Sequence, residues 1–301
     1  MDGEARRSVF GVANLTESTV LQNIKDILVG LTEAGDSDSE EASSALAYGM
    51  SLAREANAHL TVQAAALKIL LPYTFVNRFA ASLVAAENRR LRNLAAAAAD
   101  IARGDAAAAG VACITEVPQL AYPELIQSFA AQARIHDLTV LDAAPVALAV
   151  DRGVIEAVLK DSGGPLLVVP RGRETFSGER ILVAWDGSGK AARAINDALP
   201  FLRAAEEVEV VVVTGEKDLS DAVPGSEVAP HLARHGVNVT VRDLPADGGD
   251  VAETLRRLAI LSRAGMLVMG AYVHSRLRQA VLGGTTRSLL KSSPVPLFLS
   301  S

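Results

Sequence analysis

The residue types with the most chemical potential are concentrated in one segment, residues 270–286, which reads GAYVHSRLRQAVLGGTT. It follows a short apolar run at 266–269 and leads into a helical pattern that begins near Thr285. Glycines at such a place let backbone N–H groups come close to a phosphate, and the first turn of a new helix favours an anion. His274, Arg276 and Arg278 add positive charge in the same loop. A second short stretch, Asp186-Gly187-Ser188, closes the apolar run at 181–186. On residue type alone it terminates a strand and caps a helix, with Ser188 as the natural N-cap. Other chemistries lack their residues. No Gly-x-Ser-x-Gly follows a strand, so no Ser/His/Asp nucleophile is built. The single cysteine, Cys113, excludes an intramolecular disulfide framework and reads as a buried small hydrophobe of a strand. His136, His231 and His235 have no Asp or Cys partners at ligand spacing.

The elements that must position these residues occur twice. Apolar runs at 27–32 and 181–186 open two similar halves, and each is followed by a small polar loop and an amphipathic helical pattern. For the first of these helices Ser37 or Ser39 is the expected cap; the second runs from about 190 to 205 behind Ser188. Strand-like runs continue at 60–67 and 208–213, 113–117 and 237–241, 138–141 and 266–269, and 165–169 and 296–299. Helical patterns at 120–134 and 251–263 lie between them. Five strands alternating with helices, twice over, predict two tandem five-stranded parallel open sheets with helices on both faces, an α/β architecture of Rossmann-like type.

The halves are unequal. From Ile27 to Pro165 is 138 positions and from Ile181 to Pro296 is 115, a surplus of 23 in the first half. Most of it falls between the second and third strands, where the first half carries a long helical pattern from about 76 to 102. The second half has only a polar stretch with Pro224 and Gly225 there, read as a loop. The expected organisation is a tail at 1–24, a first domain at 25–170, a linker at 171–178 and a second domain at 179–301.

Composition bounds the partners. Half of the 301 residues are hydrophobic but only 4% are aromatic, so the core must be built from Ala, Val, Leu and Ile. A net charge of −6 argues against a broad nucleic-acid footprint. No run of roughly 18 apolar residues offers a membrane span, and the N-terminus lacks a signal-peptide h-region. A cytoplasmic protein that binds neither nucleic acid nor membrane is the expectation. The run Arg89-Arg90-Leu91-Arg92 reads as a solvated helix face.

These pieces resemble the universal stress protein family, whose signature after the fourth strand is Gly-x2-Gly-x9-Gly-(Ser/Thr). Gly270 matches its first glycine and Gly283 its third, while Val273 stands at the second and Gly284 at the hydroxyl position. The opening ILVAWDGS at 181–188 and the closing SPVPLFL at 293–299 also match. The resemblance covers 179–301 and, in degraded form, 25–170. It implies that Asp186 contacts a ribose or a Mg²⁺ ion, that Val213 meets an adenine, and that Met269 precedes the phosphate loop. Gly187, Gly270, Val273, Gly283, Gly284 and Thr285 complete the implied site, with ATP and Mg²⁺ as its cofactors and an unoccupied, cofactor-free protein as the alternative. In the first half, Thr32 stands for Asp186 and Asp142 for Gly270, and residues 143–150 contain no glycine. That half is expected not to bind ATP. The resemblance also implies pairing of the halves through their final strands, as in a homodimer of single-domain members, and allows a further homodimer. Three functions remain open: a stress-response regulatory module that binds adenine nucleotide in its second half, a nucleotide-free scaffold for a metabolite, lipid or protein, and a slow ATPase.

Overall fold

Uninterrupted runs of Val, Leu, Ile and Ala make strands that suit burial on both faces, and the chain uses them in that way. The computed structural model describes residues 21, 23–33, 43–71, 78–143, 149–214, 224–271, 273–274 and 281–301. The first half contains β1 (Asp26–Glu33), α1 (Ser44–Ala56), β2 (His59–Leu67), α2 (Arg78–Ala108), β3 (Cys113–Glu116), β4 (Gln119–Leu120), α3 (Tyr122–Ala133), β5 (Leu138–Asp142), α4 (Ala149–Asp161) and β6 (Leu166–Val169). The second contains β7 (Arg180–Ala184), α5 (Gly189–Ala204), β8 (Glu207–Thr214), α6 (Gly225–Arg234), β9 (Val239–Pro245), α7 (Val251–Leu261), β10 (Met266–Gly270), β11 (Val273–His274), β12 (Val281–Leu282), α8 (Gly284–Ser292) and β13 (Leu297–Ser300).

The α/β class holds, with one change of scale: the two five-stranded sheets are one. The order is β3-β2-β1-β5-β6-β13-β10-β7-β8-β9, with β4 added beside β2. Within each half every neighbouring pair is parallel, whereas β6 and β13 meet antiparallel, Val168 opposite Leu297 and Leu166 opposite Leu299. Helices α1, α2, α5 and α6 cover one face and α3, α4, α7 and α8 the other, each over its own apolar cluster. No helix among the described residues is long and apolar enough to cross a membrane.

Three local expectations are corrected. The cap of α1 is Ser43, whose Oγ accepts from the Leu46 N–H at 3.1 Å, rather than Ser37 or Ser39, which lie outside the described residues. The polar stretch after β8, noted for Pro224 and Gly225, includes a helix, α6, whose Val228 and Leu232 are buried one turn apart, so burial outweighs the low helix propensity of Gly225 and Pro230. Gly225 is required by packing: a Cβ there would lie 2.7 Å from Val212. Cys113 is only half-buried, and partial burial pushes its thiol up from the ordinary value.

Segment 171–178 is pinned along α1. The Gly172 N–H donates to Ser44 Oγ and the Phe176 N–H to Ser51 Oγ, at 3.0 and 3.1 Å. The Phe176 ring sits between Tyr48 of α1 and Phe201 of α5, and Phe201 in turn meets Phe298 of β13, with centroids 5.9, 5.9 and 5.6 Å apart. In an aromatic-poor chain, four rings thus line the junction of the halves. Burial there pushes the Tyr48 phenol well above its ordinary value. Leu21 and Ile24, at the end of the segment read as a tail, are buried in the same cluster. Phe176→Ala is expected to lower unfolding stability by about 2 kcal/mol, with Phe176→Leu recovering part of it, as measured by urea denaturation.

Candidate functional site

In a doubly wound sheet, ligands bind beyond the carboxyl ends of the strands where the winding reverses. In the second half that point lies between β7 and β10, since the chain leaves β7 for β8 and β9 and then returns to β10 on the other side. Asp186 follows β7 by two residues, and its Oδ1 accepts from the Ser188 N–H at 3.1 Å. Gly187 takes φ +72°, a left-handed turn that brings Ser188 round to cap α5 by accepting from the Ala191 N–H at 3.1 Å. The strand-ending and helix-capping reading of this tripeptide is therefore realised, and it fixes the Asp186 carboxylate at the mouth of the crevice.

Gly270 closes β10 against the first turn of α5. A Cβ there would stand 2.6 Å from Ala191 N and 2.7 Å from the Lys190 carbonyl carbon, both backbone atoms. The glycine is thus required by the approach of helix to strand. Gly283 is the N-cap of α8, Gly284 and Thr285 form its exposed and half-buried first turn, and Thr286 is buried. A Cβ at Gly284 would meet nothing within 4 Å. Val273 lies in β11 opposite Leu282 of β12, so it holds a strand position, which a β-branched residue suits. Tyr272, Arg276 and Arg278 lie outside the described residues.

On the α7–α8 face, Val213 pairs in register with Leu244, and both border the apolar cluster that buries Met269 and Leu282. Trp185 is buried in the cluster on the opposite face. The site residues named from the sequence therefore fall into two sets. Val213 and Met269 belong to the apolar α7–α8 face, while Asp186, Gly270, Gly283, Gly284 and Thr285 belong to the strand ends and helix starts. Among the described residues no group of three His, Cys, Asp or Glu side chains could hold a metal.

The register places the first-half counterparts. Gly30 pairs with Leu141 as Ala184 pairs with Met269, which sets Asp142 against Gly270 and Thr32 against Asp186. Thr32 is still within β1, paired with Ala65 of β2. Asp142 does what sequence reasoning missed. Its Oδ2 accepts from the Ser43 hydroxyl at 2.5 Å and its Oδ1 from the Ala45 N–H at 2.8 Å, so a tethered carboxylate occupies the N-terminus of α1. Burial raises the Asp142 carboxyl above its ordinary value, against the hydrogen bonds from Ser43, Ala45 and Ser44 and the charge of Arg171. The available signal was an α1 first turn with no acid of its own.

Two predictions follow from this packing. Gly270→Ala is expected to cost about 2 kcal/mol, because the clash is with backbone, as read by thermal or urea unfolding. Asp142→Ala should cost about 1–2 kcal/mol, and Asp142→Asn less, since the amide keeps an acceptor towards Ala45. A carboxyl raised in the folded state binds its proton more tightly there than in the unfolded chain. Its stabilising contribution is therefore complete below the unfolded value and is lost as pH rises through the folded one. Urea midpoints across the acid range should show Asp142→Asn removing that component of the decline.

Comparison with known proteins agrees with this architecture. Residues 178–300 match the universal stress protein family. A curated universal stress protein of Synechocystis is 27% identical over 146 residues, covering 48% of this chain and 49% of its own length, so the chain spans about half of that relative. Among solved structures, a universal stress protein from Archaeoglobus fulgidus is similar with a TM-score of 0.63 at 19% identity, covering 94% of this chain and 98% of its own. A putative universal stress protein from Pseudomonas aeruginosa gives 0.55 at 18% identity, with 93% and 94% covered. At these identities the likeness of structures speaks for the fold. The match to the universal stress protein family thus falls on the second half, the half that carries Asp186, Gly270 and Gly283.

Proposed function

We propose that this protein is a nucleotide-responsive regulatory module that takes one adenine nucleotide per chain, in the second-half crevice. The observation that carries the reading is the contrast between equivalent positions. In the first half a half-buried carboxylate, Asp142, is bonded to the start of α1, where a phosphate would meet like charge. In the second half the same position is Gly270, and no side chain of its own enters the crevice there. Val213, Leu244, Met269 and Leu282 offer an apolar wall for a base, and the start of α8 at Gly283–Gly284 offers backbone donors for phosphate. Mg²⁺ fits only as an ion brought by the phosphates, since one carboxylate, Asp186, would join it and Mg²⁺ usually takes one or two with phosphate and water. Asp186, already turned by Ser188, would hold that ion or the ribose. The reading is one of binding rather than of turnover.

Titration of the intact protein with fluorescent ATP should saturate below millimolar concentration at one nucleotide per chain. Asp186→Ala should weaken it. Gly284→Ser, which restores a hydroxyl where a side chain has room, should tighten it about tenfold. Two nucleotides per chain would overturn the asymmetry. Absence of saturable binding would favour a nucleotide-free scaffold.

A further inference from the structure

Helix α2 is 31 residues long and buries one stripe, Leu91, Ala95, Ala99, Ala102 and Ala106, against the sheet. A second stripe runs the length of the helix on another face: Phe79, Leu83, Ala86, Arg90, Leu94, Ala97, Ile101, Gly104 and Ala108. Their spacings of three and four residues keep them in line over about 44 Å of helix, roughly four heptads. All nine are exposed, the large ones heavily: Phe79 73%, Leu83 54%, Leu94 38% and Ile101 61%. None of residues 78–90 is fully buried; Ala80, Val84, Glu87 and Asn88 are half-buried, with Asn88 bonded to the Ile69 backbone, while Phe79, Leu83, Ala86 and Arg90 stay exposed.

We propose that this stripe is the interface with a second copy of the chain, two α2 helices packing antiparallel about a twofold axis near Leu94. The stripe is complementary to itself only in that arrangement. Reversed on a second copy, it sets Phe79 opposite Ala108, Leu83 opposite Gly104, Ala86 opposite Ile101 and Arg90 opposite Ala97, a large side chain against a small one in these four layers, with Leu94 meeting its own copy at the axis. On the flank of the stripe, Arg89 comes beside Asp100 of the other copy, a pairing of opposite charge. Gly104 supplies a separate argument. Glycine weakens a helix interior, yet a Cβ at Gly104 would meet nothing within 4 Å in the protomer, so its own packing does not require it. The slot it leaves receives Leu83 of the second copy.

Sedimentation equilibrium of the full chain should show a concentration-dependent dimer. Gly104→Leu, which improves helix propensity and has room in the protomer, should keep the fold by circular dichroism and weaken the dimer at least tenfold. Leu83→Glu should do the same. In a Cys113→Ser background, Leu94→Cys should form an intermolecular disulfide on mild oxidation and Phe79→Cys should not, whereas Phe79→Cys with Ala108→Cys together should. A disulfide through Phe79→Cys alone would mean a parallel pairing and overturn the proposal. So would a monomer at every concentration, with the stripe covered by residues 1–20 or left to another protein, or a dimer indifferent to Gly104→Leu and Leu83→Glu.

Discussion

The antiparallel meeting of β6 and β13 is the constraint on which the rest of the structure depends. Each is the last strand of its half, and all four residues of each are buried. Left as the edge of a separate sheet, either strand would present unpaired N–H and C=O groups along apolar residues, the arrangement that soluble proteins avoid. Pairing satisfies both edges at once and makes one sheet from two. It also sets the direction of everything else. Because the two final strands run in opposite senses, the carboxyl ends of the first half and of the second lie on opposite edges of the common sheet. The two crevices therefore face away from each other, and each is bordered by the far end of the other half. Helix α4 reaches β11, and the Arg193 guanidinium donates to the Gly163 carbonyl just beyond α4. In the opposite corner, Arg173 donates to the Pro294 carbonyl beyond α8.

The pseudo-symmetry does not extend to the ring cluster at the junction. Phe176 comes from the connecting segment, which occurs once, and it fills the angle between α1 and α5 that two copies of a single half would leave for a symmetric contact. Tethering lets one residue serve both halves. Once a single chain carries both sheets, the two crevices are also free to diverge. Asp142 shows the outcome: with a carboxylate bonded inside the fold at the start of α1, the loop after β5 has no reason to supply glycines for an approaching phosphate, and none occur in 143–150.

Much of the sheet was legible because its signal is local. Continuous apolar runs located the ten principal strands, and their repeated order predicted the winding and hence the crevice. Capping chemistry identified Ser188 for the same reason, as the side chain and the amide it caps are three residues apart. What escaped depends on distance along the chain. The partner of the α1 start lies 97 residues from Ala45, and no pattern within α1 could name it. Helix α6 was obscured by Gly225 and Pro230, whose cost in propensity is outweighed by two buried side chains and a glycine fitted against Val212. The ring cluster was invisible because composition reports that rings are few and says nothing of their gathering at one junction. The reading of residues 89–92 was sound for the three arginines, which are exposed, but Leu91 between them is buried, so the run spans two faces of one helix.

The surplus of the first half can then be weighed physically. A helix that only needed to cover β2 and β3 would be satisfied by the stripe from Leu91 to Ala106. The turns before it order backbone at about 1–2 kcal/mol per residue and bury no side chain fully, with Ala80, Val84, Glu87 and Asn88 only half-buried. They also hold Phe79 and Leu83 in water, where large apolar groups carry an unfavourable hydration term. Helix propensity, worth tenths of a kcal/mol per residue, does not offset both. Under the proposed pairing these turns would be covered by the second copy. The half in which Asp142 is bonded to the start of α1 is also the half that turns an exposed, largely apolar stripe outward, so the contact and the ligand proposed above fall in different halves.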